Sequence, residues 1–224
     1  MALLTFDLFS ALLDSRTGGS AAFGQIVGAH GWDVAAEDLY DRWDAANKAS
    51  QRDETEWVPF TEHSRRALAA VYTDLGLDGD ADADTAVLLG SVGNWPLWPD
   101  VEAGLPRLAE RWRVGVLSNV DDVVFARTRV APLVDRLSDQ AAVLTSERLR
   151  AYKPGREIYL RARERAGGEL VHVATSARDV RGALEAGLDV VRLRRPGHEL
   201  DPAGPRPERT VASVDELGKV LGLP

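Results

Sequence analysis

MALLTFDLFSALLD, residues 1–14, is the stretch on which the reading of this chain turns. Leu3-Leu4-Thr5-Phe6 is a short apolar run, and Asp7 follows it at once. A run that brief, rich in large apolar side chains, reads as a fully buried strand. An acid at the end of such a strand is costly unless it is paired or does chemistry. In open parallel α/β sheets, ligands bind beyond the carboxyl ends of the strands. Asp7 is therefore a candidate nucleophilic carboxylate at a strand tip. A helix cap or a turn acid is the plainer explanation for the segment taken alone.

Downstream, Ser15-Arg16-Thr17-Gly18-Gly19-Ser20 is polar and glycine-rich. It reads as a connection, with Gly18 and Gly19 supplying hinge freedom and Ser20 placed to cap a helix. Residues 21–94 carry helical spacing and no strand-like alternation. Helices are expected over 21–30, 33–50 and 57–77, with a fourth from 85. Leu39, Trp43 and Ala46 share one face, and Phe60, Leu68, Val71, Tyr72 and Leu75 share another. The acidic run 78–84 resembles a calcium loop only superficially. Counted from Asp80, its sixth position is Thr85 and its twelfth is Ser91, where such a loop needs glycine and glutamate. It reads as a solvated loop whose last acid caps a helix.

From Asn94 the character changes. Trp95-Pro96-Leu97-Trp98-Pro99-Asp100 is a rigid return segment, because two prolines cannot continue a helix. Strands are expected at 112–117, 141–144, 170–173, 190–193 and 210–212. Helices are expected between them at 105–111, 121–137, 154–166 and 178–186, with Gly187 as a left-handed cap, and at 214–221. Strands alternating with helices imply a parallel sheet with right-handed crossovers. The fold class is α/β: a doubly wound, Rossmann-like core of residues 1–14 and 96–224, with a helical cap, residues 15–95, inserted after the first strand.

Four polar features fall at strand ends or just beyond them: Asp7, Ser118-Asn119, Lys153 and Asp179. In a real sheet they converge on one crevice. Lys153 beside Asp7 would hold it ionised and offset an anionic substrate. Asp179 would orient the lysine. Ser118 and Asn119 offer a hydroxyl, an amide and backbone N–H groups suited to a carboxylate or phosphoryl oxygen.

With these residues in order, the chain resembles the haloacid dehalogenase-like hydrolases with a helical cap. The first motif of that family, a strand-end nucleophilic aspartate, is matched by Phe6-Asp7-Leu8-Phe9-Ser10-Ala11-Leu12. Leu117-Ser118-Asn119 matches the second and Tyr152-Lys153-Pro154 the third, with Ile158-Tyr159 beyond. The fourth is matched by the segment from His172 through Asp179 to Gly182-Ala183. Phosphatases of the family carry a second aspartate two residues after the nucleophile, to protonate the departing alkoxide. Here that position is Phe9, and a halide needs no proton to leave. Phosphatases also place a magnesium-binding acid four residues before the final aspartate, where this chain has Thr175. The resemblance is therefore closest to the 2-haloacid dehalogenase branch.

That branch implies covalent catalysis without a cofactor, with magnesium not favoured. Asp7 would displace the leaving group and form an aspartyl ester, Lys153 would keep it anionic, and water would hydrolyse the ester. Asp7, Lys153 and Asp179 are the implied catalytic residues. Phe9, Ser118, Asn119, Tyr159 and Ser176 are the implied substrate-binding residues, and no metal ligand is expected. The chain departs from the family pattern at Ala11, Ala174 and Ser176. The cap arginine that takes the halide has only loose counterparts, Arg42 and Arg52, with Asp44 close by.

Composition agrees with a small-molecule enzyme. The 224 residues include no cysteine, carry a formal charge of −8 and are 45% hydrophobic. That excludes disulfides and thiolate chemistry and argues against a nucleic-acid partner. No apolar run approaches the roughly 18–20 residues of a membrane span, and the first residues lack a secretory pattern. A cytoplasmic hydrolase acting on a small anionic substrate is the expectation. A phosphatase, another carbon–heteroatom hydrolase and a catalytically impaired binding module remain the alternatives. Dimers occur among the resembling dehalogenases, and no residue pattern here specifies or excludes a homodimer.

Overall fold

The computed structural model describes residues 2–52 and 56–222. The outermost residues of the expected core (1, 223 and 224) and residues 53–55 of the expected cap lie outside the described residues. Six parallel strands form the central sheet: β1 (Leu3–Phe6), β2 (Arg113–Ser118), β3 (Val143–Thr145), β4 (Leu170–Ala174), β5 (Asp189–Leu193) and β6 (Arg209–Val211). Their order is β3-β2-β1-β4-β5-β6. The first strand is central, with Phe6 in register with Val116 on one side and Val173 on the other.

All four residues of β1 are buried. Helices cover both faces of the sheet, so the strand is apolar without alternation. Leu4 and Phe6 belong to one core cluster and Leu3 to the other, as side chains that alternate across a strand must. Thr5 shares the Leu3 side, and its hydroxyl finds a partner there in His172.

Four helices follow β1: α1 (Ser15–His30), α2 (Ala36–Ser50), α3 (Phe60–Leu75) and α4 (Ala81–Gly90). They pack through Phe23, Leu39, Trp43, Leu68, Val71 and Leu88, all buried. The core helices are α5 (Val101–Ala109), α6 (Asp122–Arg127), α7 (Ala131–Leu137), α8 (Ser146–Leu149), α9 (Arg156–Ala166), α10 (Ala177–Glu185) and α11 (Val214–Val220). Gly187 takes a left-handed conformation after α10, with φ +79. Among the described residues, no helix is long and apolar enough to cross a membrane.

Three local expectations need correction. Residues 15–20 are the first turns of α1 and not a hinge loop. Asp14 caps that helix by accepting from Thr17 N at 3.2 Å and Thr17 Oγ1 at 2.7 Å. A Cβ on Gly18 would lie 2.4 Å from Trp95, and one on Gly19 would lie 2.3 Å from Tyr40. These glycines admit aromatic rings against the helix backbone. Second, the helix expected over 121–137 is broken in two, with Thr128 extended between α6 and α7. Third, Asp80 caps α4, whereas Asp84 is buried inside it and accepts from Tyr72 OH at 2.9 Å.

The chain leaves and re-enters the core side by side. Leu13 and Leu97 form an antiparallel bridge, and Trp98 N donates to Leu12 O at 3.0 Å. A second tie runs from the loop after β2. Asp121 accepts from Phe60 N and Thr61 N, each at 2.8 Å, and so caps α3 from the core side. Cap and core thus close over the carboxyl end of the sheet.

Candidate active site

Asp7 stands where β1 ends, its N–H still bonded to Val173 O at 3.0 Å. The chain then makes a single wide helical turn, Leu8–Leu12. Asp7 Oδ2 caps that turn by accepting from Ser10 N at 2.9 Å and Ser10 Oγ at 2.5 Å. Trp98 Nε1 donates to Ser10 O, and Arg195 donates twice to Ala11 O, which pins the turn from outside. The cap and the charged-site interpretations of Asp7 therefore hold together: one oxygen caps, and the other faces Lys153.

Lys153 comes from the loop before α9. Its three N–H bonds are all used: Asp7 Oδ1 at 2.7 Å, Asp179 Oδ2 at 2.7 Å and Leu117 O at 2.8 Å. The three side chains are buried. Burial is the largest single influence on the Asp7 carboxyl and raises it, as does Asp179, but the charge and hydrogen bond of Lys153 together with the Ser10 hydroxyl outweigh them and hold Asp7 below its ordinary 3.8. Asp179 is lowered too, against burial, by Lys153 and then His172. Burial opposes the ammonium of Lys153, yet Asp179 and Asp7 together raise it above its ordinary value.

Asp179 is positioned by two further groups. Tyr159 OH donates to Oδ1 at 2.8 Å, and His172 Nε2 lies 3.1 Å from Oδ2. With the proton on Nε2, His172 Nδ1 accepts from Thr5 Oγ1 at 3.0 Å. Strands β1 and β4 therefore hold the aspartate through a buried polar chain.

Around these groups lies a cavity of about 450 Å³ between cap and core. The expected residues Asp7, Phe9, Ser118, Asn119, Lys153, Ser176 and Asp179 all line it. Phe9 forms an aromatic wall, its ring 5.7 Å from Phe60 and 5.8 Å from Trp95. Trp43 and Trp98 also face the cavity. Ser118 Oγ is fully buried and, among the described residues, has no hydrogen-bond partner.

Two expected substrate-binding side chains are committed elsewhere. Tyr159 is wholly buried beneath the site, outside the cavity lining, with its hydroxyl on Asp179. Asn119 commits both of its side-chain N–H donors to protein. Its Nδ2 donates to Gln51 Oε1 at 2.8 Å and Lys153 O at 2.9 Å, and its Oδ1 accepts from Lys153 N at 2.7 Å. Asn119 is thus a bridge between α2 of the cap and the lysine loop. Thr175 is buried and donates to Leu193 O at 2.7 Å.

The wall also contains residues to which the sequence attached no role. Ser10 braces Asp7, and its place three residues after a capping acid is the signal that could have found it. Gln51 closes α2 and has no such signal. Arg178 lines the cavity, whereas Arg42 and Arg52 do not. Asp44 is offset by an ion pair with Lys48.

Comparison with known proteins gives the chain's relatives. A (S)-2-haloacid dehalogenase, 4A, from Burkholderia cepacia is 30% identical over 128 residues. That match covers 55% of this chain and 54% of the relative, so the chain spans about half the length of the curated protein it matches. The L-2-haloacid dehalogenase of Xanthobacter autotrophicus, solved with chloropropionic acid covalently bound, has the same fold. It is 19% identical with a TM-score of 0.82, each chain covered over 100% of its length. A HAD-hydrolase of Bacillus subtilis bound to magnesium, YfnB, also superposes, at 17% identity, a TM-score of 0.78 and 99% of each chain. Likeness at these identities shows the fold alone, and the family is decided by the sequence model. That model, for the haloacid dehalogenase-like hydrolases, matches residues 1–187, which span Asp7, Ser118, Lys153 and Asp179, and the chain belongs to this family.

Proposed function

We propose that the protein is a hydrolytic dehalogenase of small 2-haloalkanoic acids, with Asp7 as nucleophile. The observation that carries this reading is the pairing of a buried, charged Asp7 with Lys153 while an apolar ring, Phe9, stands where an alkoxide-protonating acid would be needed. The dehalogenase relatives add support.

In the first step an Asp7 oxygen attacks C2 of the acid in line, and the carbon–halogen bond breaks with its electron pair on the halide. An aspartyl ester results. Water then adds to the Asp7 carbonyl carbon, and the bond from that carbon to the alkoxy oxygen of the hydroxy acid breaks, its electron pair going to that oxygen, which takes a proton from the water. The 2-hydroxy acid leaves, one proton is released, and Asp7 is regenerated. Lys153 keeps Asp7 anionic before attack and stabilises the carboxylate as it reforms. In this reading Ser118 Oγ, buried and without a partner among the described residues, donates to the substrate. Cap and core exclude bulk water from the first step.

The residues do not fit a magnesium ion, which asks for about six oxygen ligands. Lys153 Nζ occupies the space between the two carboxylates, 2.7 Å from each. Thr175 stands in place of the third acid and faces Leu193. Among the described residues, no group of three acids or imidazoles could hold a metal.

Single turnover in heavy-oxygen water tests the proposal. Asp7 takes up the label during ester hydrolysis, and mass analysis of the peptide around it reads the gain. An unlabelled Asp7 beside halide release would remove the covalent mechanism. Phosphate release from phosphomonoesters that depends on magnesium would favour a phosphatase. Asp7→Asn is expected to fold and to release no halide.

A further inference from the structure

Lys153 has no N–H bond left for a substrate anion. The other cations of the cavity wall divide sharply. Arg16 is held by both oxygens of Asp41, at 3.0 and 2.8 Å. Lys48 is paired with Asp44. Arg178 is different: among the described residues it makes no ion pair. Its Nη2 donates to Lys153 O at 2.5 Å and its Nη1 to Lys48 O at 3.5 Å. A guanidinium has five N–H donors, so three remain, on a half-buried group that lines the cavity. Asp179 and Asp44 favour its charge from beyond ion-pair distance and Arg52 opposes them, and a partly desolvated arginine with spare donors and no direct ion pair is costly unless an anion completes it.

We propose that Arg178 binds the carboxylate of the substrate, with the buried Ser118 hydroxyl as a second donor. This rests on the dehalogenase reading above and supplies the positive charge that Arg42 and Arg52 do not bring. The planar fork of a guanidinium matches the two oxygens of a carboxylate better than a spherical halide. Its position agrees. Arg178 is tethered to the carbonyl of Lys153, the residue whose ammonium contacts Asp7. In-line displacement drives the halide away from Asp7, so a cation tethered beside the Lys153–Asp7 pair meets a retained substituent of the reacting carbon, of which the carboxylate is the charged one.

The test uses Arg178→Met and Arg178→Lys with 2-chloropropionate, 2-bromopropionate and 2-bromopropionamide. Arg178→Met is expected to raise KM for both acids at least tenfold, leave the bromide-to-chloride rate ratio unchanged, and leave the amide unaffected. Arg178→Lys recovers part of the loss, because it restores charge without the fork. Unchanged KM for the acids would overturn the proposal. So would an altered bromide-to-chloride ratio at constant KM, which would place the halide on Arg178 instead. A second readout does not need turnover: calorimetric binding of lactate to Asp7→Asn protein, with and without Arg178→Met. A tenfold weaker affinity supports the site even if the wild type releases no halide, in which case only the dehalogenase reading falls. Equal lactate affinity refutes the site. Should Arg178→Met unfold, Arg178→Lys and Arg178→Gln carry the same comparison.

Discussion

Lys153 Nζ lies 2.7 Å from Asp7 Oδ1 and 2.7 Å from Asp179 Oδ2, so one buried ammonium is shared by two buried carboxylates. Removing the lysine leaves two acids facing each other with no cation between them. Lys153→Met is expected to abolish turnover and to cost about 3–5 kcal/mol of stability, the usual penalty for breaking a buried ion pair. Adding Asp7→Asn to that variant removes one of the two stranded charges and returns part of the loss. Urea unfolding of the two single variants and the double gives the coupling directly. Strictly additive losses would contradict the shared-ammonium geometry.

Tyr159 acts at one remove. Its hydroxyl meets Asp179 and does not reach the cavity. Tyr159→Phe is expected to lower kcat several-fold, because Asp179 orients Lys153, while KM stays within about twofold. The lost bond to a charged acceptor costs about 1.5–3 kcal/mol. A rise in KM with kcat intact would put the hydroxyl on the substrate after all.

Local pattern and tertiary placement account for what the chain disclosed. Strand β1 was readable because both its faces are covered, which forces an unbroken apolar run ending in Asp7. The convergence of Ser118, Lys153 and Asp179 followed from the rule that parallel strands gather their carboxyl ends. Gly18 and Gly19 misled, since a glycine pair looks like a hinge until Trp95 and Tyr40 are seen against it. Those rings arrive from 77 and 21 residues away, beyond any local window. The partners of Asn119 were hidden for the same reason: its side-chain N–H groups go to Gln51, 68 positions distant, and to Lys153 O. Arg178 sits beside a motif residue in the sequence, but its lack of an ion pair is visible only when Arg16 and Lys48 are seen with theirs.

The charges of the site fix its pH response. Asp7 and Asp179 are lowered in the fold, so their stabilising contribution is present above the unfolded value of about 4 and is lost as pH falls through the folded values. Lys153 is raised, so its contribution is present below about 10.4 and is lost as pH rises through its folded value. None of the three changes charge between about pH 4 and 10. His198 also lines the cavity. Burial and then Lys48 lower it from 6.5, Arg192 acts the same way, and Asp7 and Asp44 oppose them. On the proposed mechanism, its protonation brings a positive charge that tightens binding of an anionic substrate and weakens Asp7 as a nucleophile. Both kcat and KM are therefore expected to fall together below a midpoint under 6.5, and His198→Asn should flatten both profiles. A limb that survives His198→Asn would show that His198 is not its source.

The cavity is larger than the smallest substrates require. 2-Bromopropionate has six heavy atoms, which at the roughly 30 Å³ share of a liquid water need about 180 Å³. The space available is about 450 Å³, and Phe9, Phe60, Trp95 and Trp98 make much of its wall apolar. Each methylene buried there contributes about 0.8 kcal/mol, or close to fourfold. 2-Bromohexanoate carries three more methylenes with the same leaving group, and its kcat/KM is expected to exceed that of 2-bromopropionate at least tenfold. Leu89 lines the same space and is buried. Leu89→Phe should erase the advantage of the longer acid and spare the shorter one, with an unfolding curve recorded alongside because overpacking costs about 1–3 kcal/mol. A wild-type preference for the three-carbon acid would mean that the cavity is filled by the cap during turnover and not by the substrate.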